Sequence, residues 1–247
     1  MSNNENVSVM THLDELRKRL TVIAAVNIGA AMILFNKAGI ILDYFLAINP
    51  GIQLVYITPS QLLGVYIQLA FIMAIIICSP VTGYQIWAFV EKGLYDNEKK
   101  YMIISLIFGV VFFLAGVLFC YFMVLPTTLG FFVRIAIEEV ESMISVKSYI
   151  SFINSMLLAF GAVFEMPVVV FLLTKLDILK PTFLKKNKGI FIVLIFVAAA
   201  IITPPDVISQ IMLGIPMVLL LEFSTKICEF VYKTNKNKIE DETHTQR

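Results

Sequence analysis

Apolar residues fall along this chain in long unbroken runs, and polar residues gather between them. Six runs are legible, at about residues 20–35, 62–90, 102–125, 150–173, 189–202 and 207–221. Such runs read as membrane-spanning helices, because a helix satisfies its own backbone in hydrocarbon. Ahead of the first run, Leu13, Leu16, Leu20 and Ile23 recur at helical spacing. Asp14–Lys18 and Glu15–Arg19 form i,i+4 pairs in the favourable order, and Thr11 with Asp14 resembles a capping box. A short amphipathic helix at the membrane surface, feeding the first span, is the expectation. Asp43, Asn49-Pro50-Gly51 and Thr58-Pro59-Ser60 mark a long loop whose Thr58 or Ser60 can cap the next helix. Pro80 predicts a kink in the second run, and Pro126 a stop to the third. Residues 127–148 read as a second long loop with a turn of amphipathic helix inside it. Asp206 precedes the sixth run and suits a structural cap there.

The last two runs are short. About 15 residues rise roughly 22 Å, against a hydrocarbon layer about 30 Å thick. This hairpin calls for a thinned bilayer or a covering partner, or else it is re-entrant and shielded by the bundle. The resulting division is a polar N-terminal segment at 1–19, a transmembrane domain of six helices at 20–224, and a charged, disordered tail at 225–247. The fold class is all-α, a polytopic membrane protein.

One acid interrupts the apolar pattern. Glu165 is the only charged residue between Tyr149 and Thr174, and Pro167 follows two positions later. An ionisable side chain at that depth costs about 2.5–3.5 kcal/mol on insertion scales, so it faces a bundle interior or a wet cavity. Pro167 cannot donate its backbone N–H and predicts a kink. A kinked span with one buried acid suggests a concave pocket. A plainer reading makes Glu165 a protonated packing contact between helices.

Composition sharpens this. The 247 residues are 59% hydrophobic, where a soluble chain is nearer 45–50% apolar. About 16 of the 19 Lys and Arg residues fall in the N-terminal segment, residues 91–101, residues 174–188 and the C-terminal tail. The positive-inside rule then places both termini in the cytoplasm. The net charge of +1 gives no field for nucleic acid. A polar N-terminus and no cleavage site after the first run argue against a cleavable signal peptide. Three scattered cysteines and two distant histidines make neither a disulfide framework nor a metal site. No Walker loop, nucleophile elbow or zincin motif is present, so neither catalysis nor a cofactor is expected. A proton-coupled secondary transporter using Glu165 is a separate possibility, although no repeat relates the two halves of the chain.

Four stretches resemble one family. His12-Leu-Asp-Glu-Leu-Arg-Lys-Arg-Leu20 is similar to the N-terminal motif of TatC, the membrane receptor of the twin-arginine protein translocase. Ser79-Pro-Val-Thr-Gly-Tyr-Gln-Ile-Trp-Ala-Phe-Val90 with Gly93-Leu-Tyr95 and Glu98-Lys-Lys100 resembles its second span and first cytoplasmic loop. Phe160-Gly-Ala-Val-Phe-Glu-Met-Pro167 is similar to its fourth-span motif, and Ile202-Thr-Pro-Pro-Asp206 with Ser209-Gln210 to its last turn and sixth span. The match runs over nearly the whole chain in order. The chain departs from the family pattern at Lys92, where a proline is usual, at Asn97–Lys100, and at Gln68, where a lysine is frequent.

The resemblance implies a cupped six-helix bundle in a bacterial or archaeal cytoplasmic membrane. It implies binding of twin-arginine signal peptides on folded cargo, TatA/TatB-type single-span partners, self-association, and transport driven by the proton-motive force. The receptor acids carry over to Glu15 and Glu98, with Phe89, Leu94 and Tyr95 as apolar contacts for the signal peptide. Carboxylates suit the task, because they accept arginine bidentately. Glu165 and Gln85 match polar positions of the family's concave face, and Gln210 its contact for a partner helix.

Overall fold

Helices follow the apolar runs in the computed structural model of the chain, but they break, lengthen and link in ways the runs do not show. The structure describes residues 2–91, 96–135, 143–202 and 207–245, with side chains described for 13–91, 99–134, 143–201, 210–211 and 213–234. Helix α1 (Ser2–Phe35) is followed by α2 (Ala38–Leu46), strand β1 (Gln53–Val55), α3 (Ser60–Ile77) and α4 (Ser79–Val90). Helix α5 (Asp96–Phe119) passes through a π-helical turn (Cys120–Val124) into α6 (Leu125–Ile135). Strand β2 (Met143–Ser145), α7 (Val146–Phe164), α8 (Met166–Lys175), α9 (Pro181–Lys186), α10 (Lys188–Ile202) and α11 (Val207–Thr245) complete the chain.

Among the described residues, four stretches are long and apolar enough to cross a membrane: Leu13–Phe35, Ser60–Ile77, Lys99–Arg134 and Val146–Lys175. The apolar helix over Lys188–Ile201 is shorter. Many large apolar side chains point outward, with Ile201 80% exposed. Such a surface suits lipid as the surrounding solvent.

The core lies where α7 meets α3, α5 and the α10–α11 hairpin. Phe160, Ile150, Ile153 and Leu157 of α7 are sealed against Val65 and Leu69 of α3, Cys120 and Leu125, and Leu213 and Met217 of α11. Helices α5 and α7 cross closely because Gly116 carries no side chain. A Cβ there would stand 2.6 Å from the Phe160 carbonyl oxygen. Small residues at such crossings let membrane helices approach, where dispersion contacts replace the hydrophobic drive.

Both expected kinks are present. The backbone leaves helical geometry at Cys78 (φ −86°, ψ 6°), two residues before Pro80. Glu165 is the joint between α7 and α8, with Pro167 in the first turn beyond it. At each site the proline has no N–H to continue the ladder.

Several expectations need correction. The N-terminal amphipathic segment is not a separate surface helix: α1 runs from Ser2 to Phe35 without interruption, so residue 11 lies inside it and not at a cap. Neither Thr58 nor Ser60 caps α3; the two hydroxyls bond each other at 3.2 Å. Pro126 does not end its helix. In the wide turn before it, the Leu125 N–H reaches back five residues to the Cys120 carbonyl, which absorbs the proline without a clash.

The two long loops are built, not bare. Strand β1 pairs with β2 in parallel, Leu54 opposite Ile144. The Tyr121 and Tyr149 hydroxyls donate to the Tyr44 and Phe45 carbonyls at the end of α2, at 3.1 and 3.2 Å. The charged tail is helical through Thr245, not disordered. No glycine or proline follows Pro216, and Cys228 and Val231 are buried beyond the sixth apolar run. Helix α11 packs along α8, and the Thr174 hydroxyl meets Cys228 Sγ at 3.1 Å.

Candidate functional site

Two groups of polar side chains stand out, on opposite sides of α4. The first joins α1 to α4. Glu15 and Arg19 lie one turn apart on α1 and pair at 3.3 Å. Arg19 Nη1 donates to Gln85 Oε1 on α4 at 2.9 Å. The Glu15 side chain is only 12% exposed, so its neighbours shield the pair from water. A charge-assisted hydrogen bond in that setting is stronger than a neutral one.

This contact sets the relative level of the two helices. Arg19 is level with Gln85, so Glu15 lies toward the end where α4 finishes at Val90 and α5 begins at Asp96. Position 98 is in the first turn of α5. Positions 15 and 98 therefore lie toward one end of the bundle, on helices that both pack against α4. Phe89, half-buried, is one turn beyond Gln85 on α4. The side chain of Glu98, together with Leu94, Tyr95 and Asp206, lies outside the described residues.

The second group surrounds Glu165. Its carboxyl opens into a cavity of about 450 Å³ between α4, α5 and the α7–α8 joint. Gly109 on α5 gives it room: a Cβ there would come within 3.0 Å of Glu165 Oε2. Ser79 and Trp87 of α4 and Ser105 of α5 line the same cavity. Ser79 Oγ, Trp87 Nε1 and Ser105 Oγ are buried with no hydrogen-bond partner among the described residues. Buried polar groups are ordinarily paired. Three donors and a carboxyl left facing one cavity can therefore take a polar guest: water, or a polar side chain of a bound helix.

The structure separates residues that the family pattern groups together. Gln85 is not a wall of the Glu165 cavity; it faces α1, because Arg19 claims its carbonyl oxygen. Gln210 turns its amide onto the Phe196 carbonyl at 2.8 Å and ties α11 to α10. Gln68, where the family pattern often has lysine, accepts from the Ser151 hydroxyl at 3.2 Å. Ser105 and Trp87 are pocket groups that sequence reasoning missed. The small residues Ser105 and Gly109, four apart in an apolar run, were the available signal of close helix approach.

Residues 11–216 match the family model for the Sec-independent protein translocase protein (TatC). A TatC protein of Desulforapulum autotrophicum is 35% identical, over 98% of this chain and 92% of its own length. One of Aquifex aeolicus is 37% identical, over 86% of this chain and 91% of its own. A crystal structure of the twin arginine translocase receptor TatC superimposes with a TM-score of 0.79 at 35% identity, covering 89% of this chain and 99% of that one.

Proposed function

From the premise that this chain belongs to the TatC family, the Sec-independent protein translocase proteins, we propose how its two polar groups divide the work of a translocase receptor. The protein is a multi-pass membrane component of that translocase and not an enzyme. The matches to translocase receptors favour this role over solute transport coupled to Glu165.

In this reading the polypeptide crosses the bacterial or archaeal cytoplasmic membrane six times, with both termini in the cytoplasm. The distribution of lysine and arginine supports that orientation. Glu15 and Glu98 receive the paired arginines of a signal peptide carried by folded cargo. Phe89, Leu94 and Tyr95 contact the apolar residues that follow. The observation that carries the reading is the placement of positions 15 and 98 toward one end of the bundle on either side of α4. Arg19 already engages Glu15, so an arriving guanidinium competes with it for the same carboxylate. That competition favours a ligand offering two bidentate groups over one offering a point charge.

The Glu165 cavity takes a polar group from a helix bound behind the receptor acids. TatA/TatB-type single-span proteins are the partners in this reading, and the short α10 with the apolar start of α11 is their seat. Gln210 and Phe196 sit where those two helices are tied. Asp206 caps α11, and the proton-motive force drives transport.

The decisive experiment is site-specific photo-cross-linking of a twin-arginine precursor to membranes carrying the wild type, Glu15→Ala or Glu98→Ala. Both variants are expected to lose the adduct while remaining in the membrane at normal level. Undiminished adducts in both would end the receptor assignment.

A further inference from the structure

Along α8 lies a second cavity. Helices α5 and α11 each pack on α8, and between them opens a groove of about 470 Å³. Its walls are Phe108 and Phe112 from α5, Pro167 and Phe171 from α8, and Phe223 and Phe230 from α11. Five aromatic rings and a proline make an almost wholly apolar trough.

Two polar groups break that lining. One is Lys226 of α11. Of the acids in its stretch, Glu222 bonds Lys188 while also feeling the Lys226 charge, and Glu229 pairs with Lys185 at 2.9 Å. The second is Ser105, only 5% exposed, whose hydroxyl finds no partner among the described residues. Ser105 is also a wall of the Glu165 cavity, so the two cavities are neighbours.

The levels of these groups identify the guest. The contact between Thr174 and Cys228 aligns α11 with the last turn of α8. Lys226 precedes Cys228 by two residues, a rise of about 3 Å. Helices α8 and α11 run the same way, so it stands about one turn inward of Lys175, the last residue of α8, whose ammonium lies 5.1 Å from the Tyr101 ring centroid. Ser105 is one turn deeper than Tyr101 on α5. The exposed stripe of α11 reads Phe223, Lys226, Ile227, Phe230, Lys233 at helical spacing, and Phe230 is 75% exposed. Aromatic and basic residues mixed on one face belong at the membrane–water boundary. Lys226 can lay its stem along the trough and hold its ammonium at that boundary.

We propose that this groove binds an anionic phospholipid of the surrounding bilayer. One acyl chain lies along the phenylalanines, the phosphate pairs with the Lys226 ammonium where its stem carries it out to the boundary, and the Ser105 hydroxyl, level with the Lys226 backbone, donates to an ester carbonyl. A partner transmembrane helix fits less well. It would have to bury the Lys226 ammonium or bring an acid to it, whereas a phospholipid carries its phosphate at headgroup level. None of its residues is assigned to the signal peptide, although it shares Ser105 with the Glu165 cavity.

The test is native mass spectrometry of the purified full chain, equilibrated with equal amounts of phosphatidylglycerol and phosphatidylcholine of identical chains. Wild type is expected to retain phosphatidylglycerol in preference, and Lys226→Gln to lower that preference about five-fold, the worth of one basic residue at an anionic surface. Lys226→Arg is expected to restore it. Equal retention of the two lipids by wild type overturns the proposal, and that comparison stands even if Lys226→Gln fails to accumulate. An unchanged ratio in a folded Lys226→Gln also overturns it. A photo-reactive residue at Phe171 is expected to label lipid in native membranes. A protein adduct in its place would assign the groove to a partner helix and end the lipid reading.

Discussion

The two polar groups flanking α4 differ in one respect that matters for mechanism. At the α1–α4 contact, Arg19 bridges Glu15 and Gln85, and only its Nε is buried without a partner among the described residues. In the cavity on the other side, Ser79, Trp87 and Ser105 face Glu165 with no partner among those residues. The first is a nearly closed network, in which Arg19 already holds the acid that the proposed ligand would have to win. The second is an unfinished one that a polar guest completes. A satisfied network holds two helices in register while a ligand is absent, and an unsatisfied one stores the tendency to bind. On the proposed reading, the same helix separates a clamp from an open receptacle.

The largest effect is expected from breaking the clamp. Glu15→Ala removes the carboxylate and leaves the Arg19 guanidinium without its partner. Truncating one side of a shielded charge pair costs roughly 2–5 kcal/mol at an interface, so precursor affinity should fall about a hundred-fold in a binding titration. Retention of affinity would mean that the clamp lies elsewhere. Filling the receptacle should act differently. Gly109→Val places its side chain against the Glu165 carboxyl, and overpacking of this kind costs about 1–3 kcal/mol. Transport should fall by about ten-fold in a vesicle assay while precursor binding at Glu15 is kept. Equal loss of both would show that the two groups act as one.

Smaller effects test the distinction by its sign. Gln85→Ala deprives Arg19 of an acceptor and should lower the thermal unfolding midpoint, at a cost of about 1–2 kcal/mol. Ser105→Ala removes a hydroxyl that has no partner, so it should be neutral or stabilising in the same measurement. A loss for Ser105→Ala matching that for Gln85→Ala would erase the contrast. The smallest change concerns the tie at the base of α10 and α11. The Lys188 ammonium holds the Glu222 carboxyl below the usual carboxylate range, chiefly through the bond between them. A depressed carboxylate lends stability above its unfolded value of about 4.3 and loses it as pH falls through the lower folded value. The midpoint difference between wild type and Glu222→Gln should therefore be present at pH 6 and vanish on acidification. A difference that persists in acid would assign the effect to packing.

Both proline breaks are legible in the amino-acid sequence, since a missing N–H acts within its own turn at Pro80 and Pro167. The i,i+4 pairing of Glu15 with Arg19 is legible for the same reason. The π-helical turn ahead of Pro126 is not, because it is one of several ways a helix can absorb a proline. Pairing of Gln53–Val55 with Met143–Ser145 is hidden as well. Three-residue strands carry no periodicity, and their partners lie far apart in the chain. Helix α11 continues past its apolar run because α8 gives Cys228 and Val231 a surface to bury against.

Hydropathy alone determined that this is a polytopic helical membrane protein with short apolar runs at its end and one acid sunk in its fourth run. Local chemistry placed the kinks. Only the folded molecule decided that Gln85 serves Arg19 and not Glu165, that Ser105 and Trp87 join Glu165 around one cavity, and that an aromatic groove ends at Lys226. The reason is range. Periodicity and proline act over a few residues of backbone, whereas a side chain's partner depends on which helix is packed beside it. That neighbour is chosen by the close approach of small residues and by burial summed over the whole bundle.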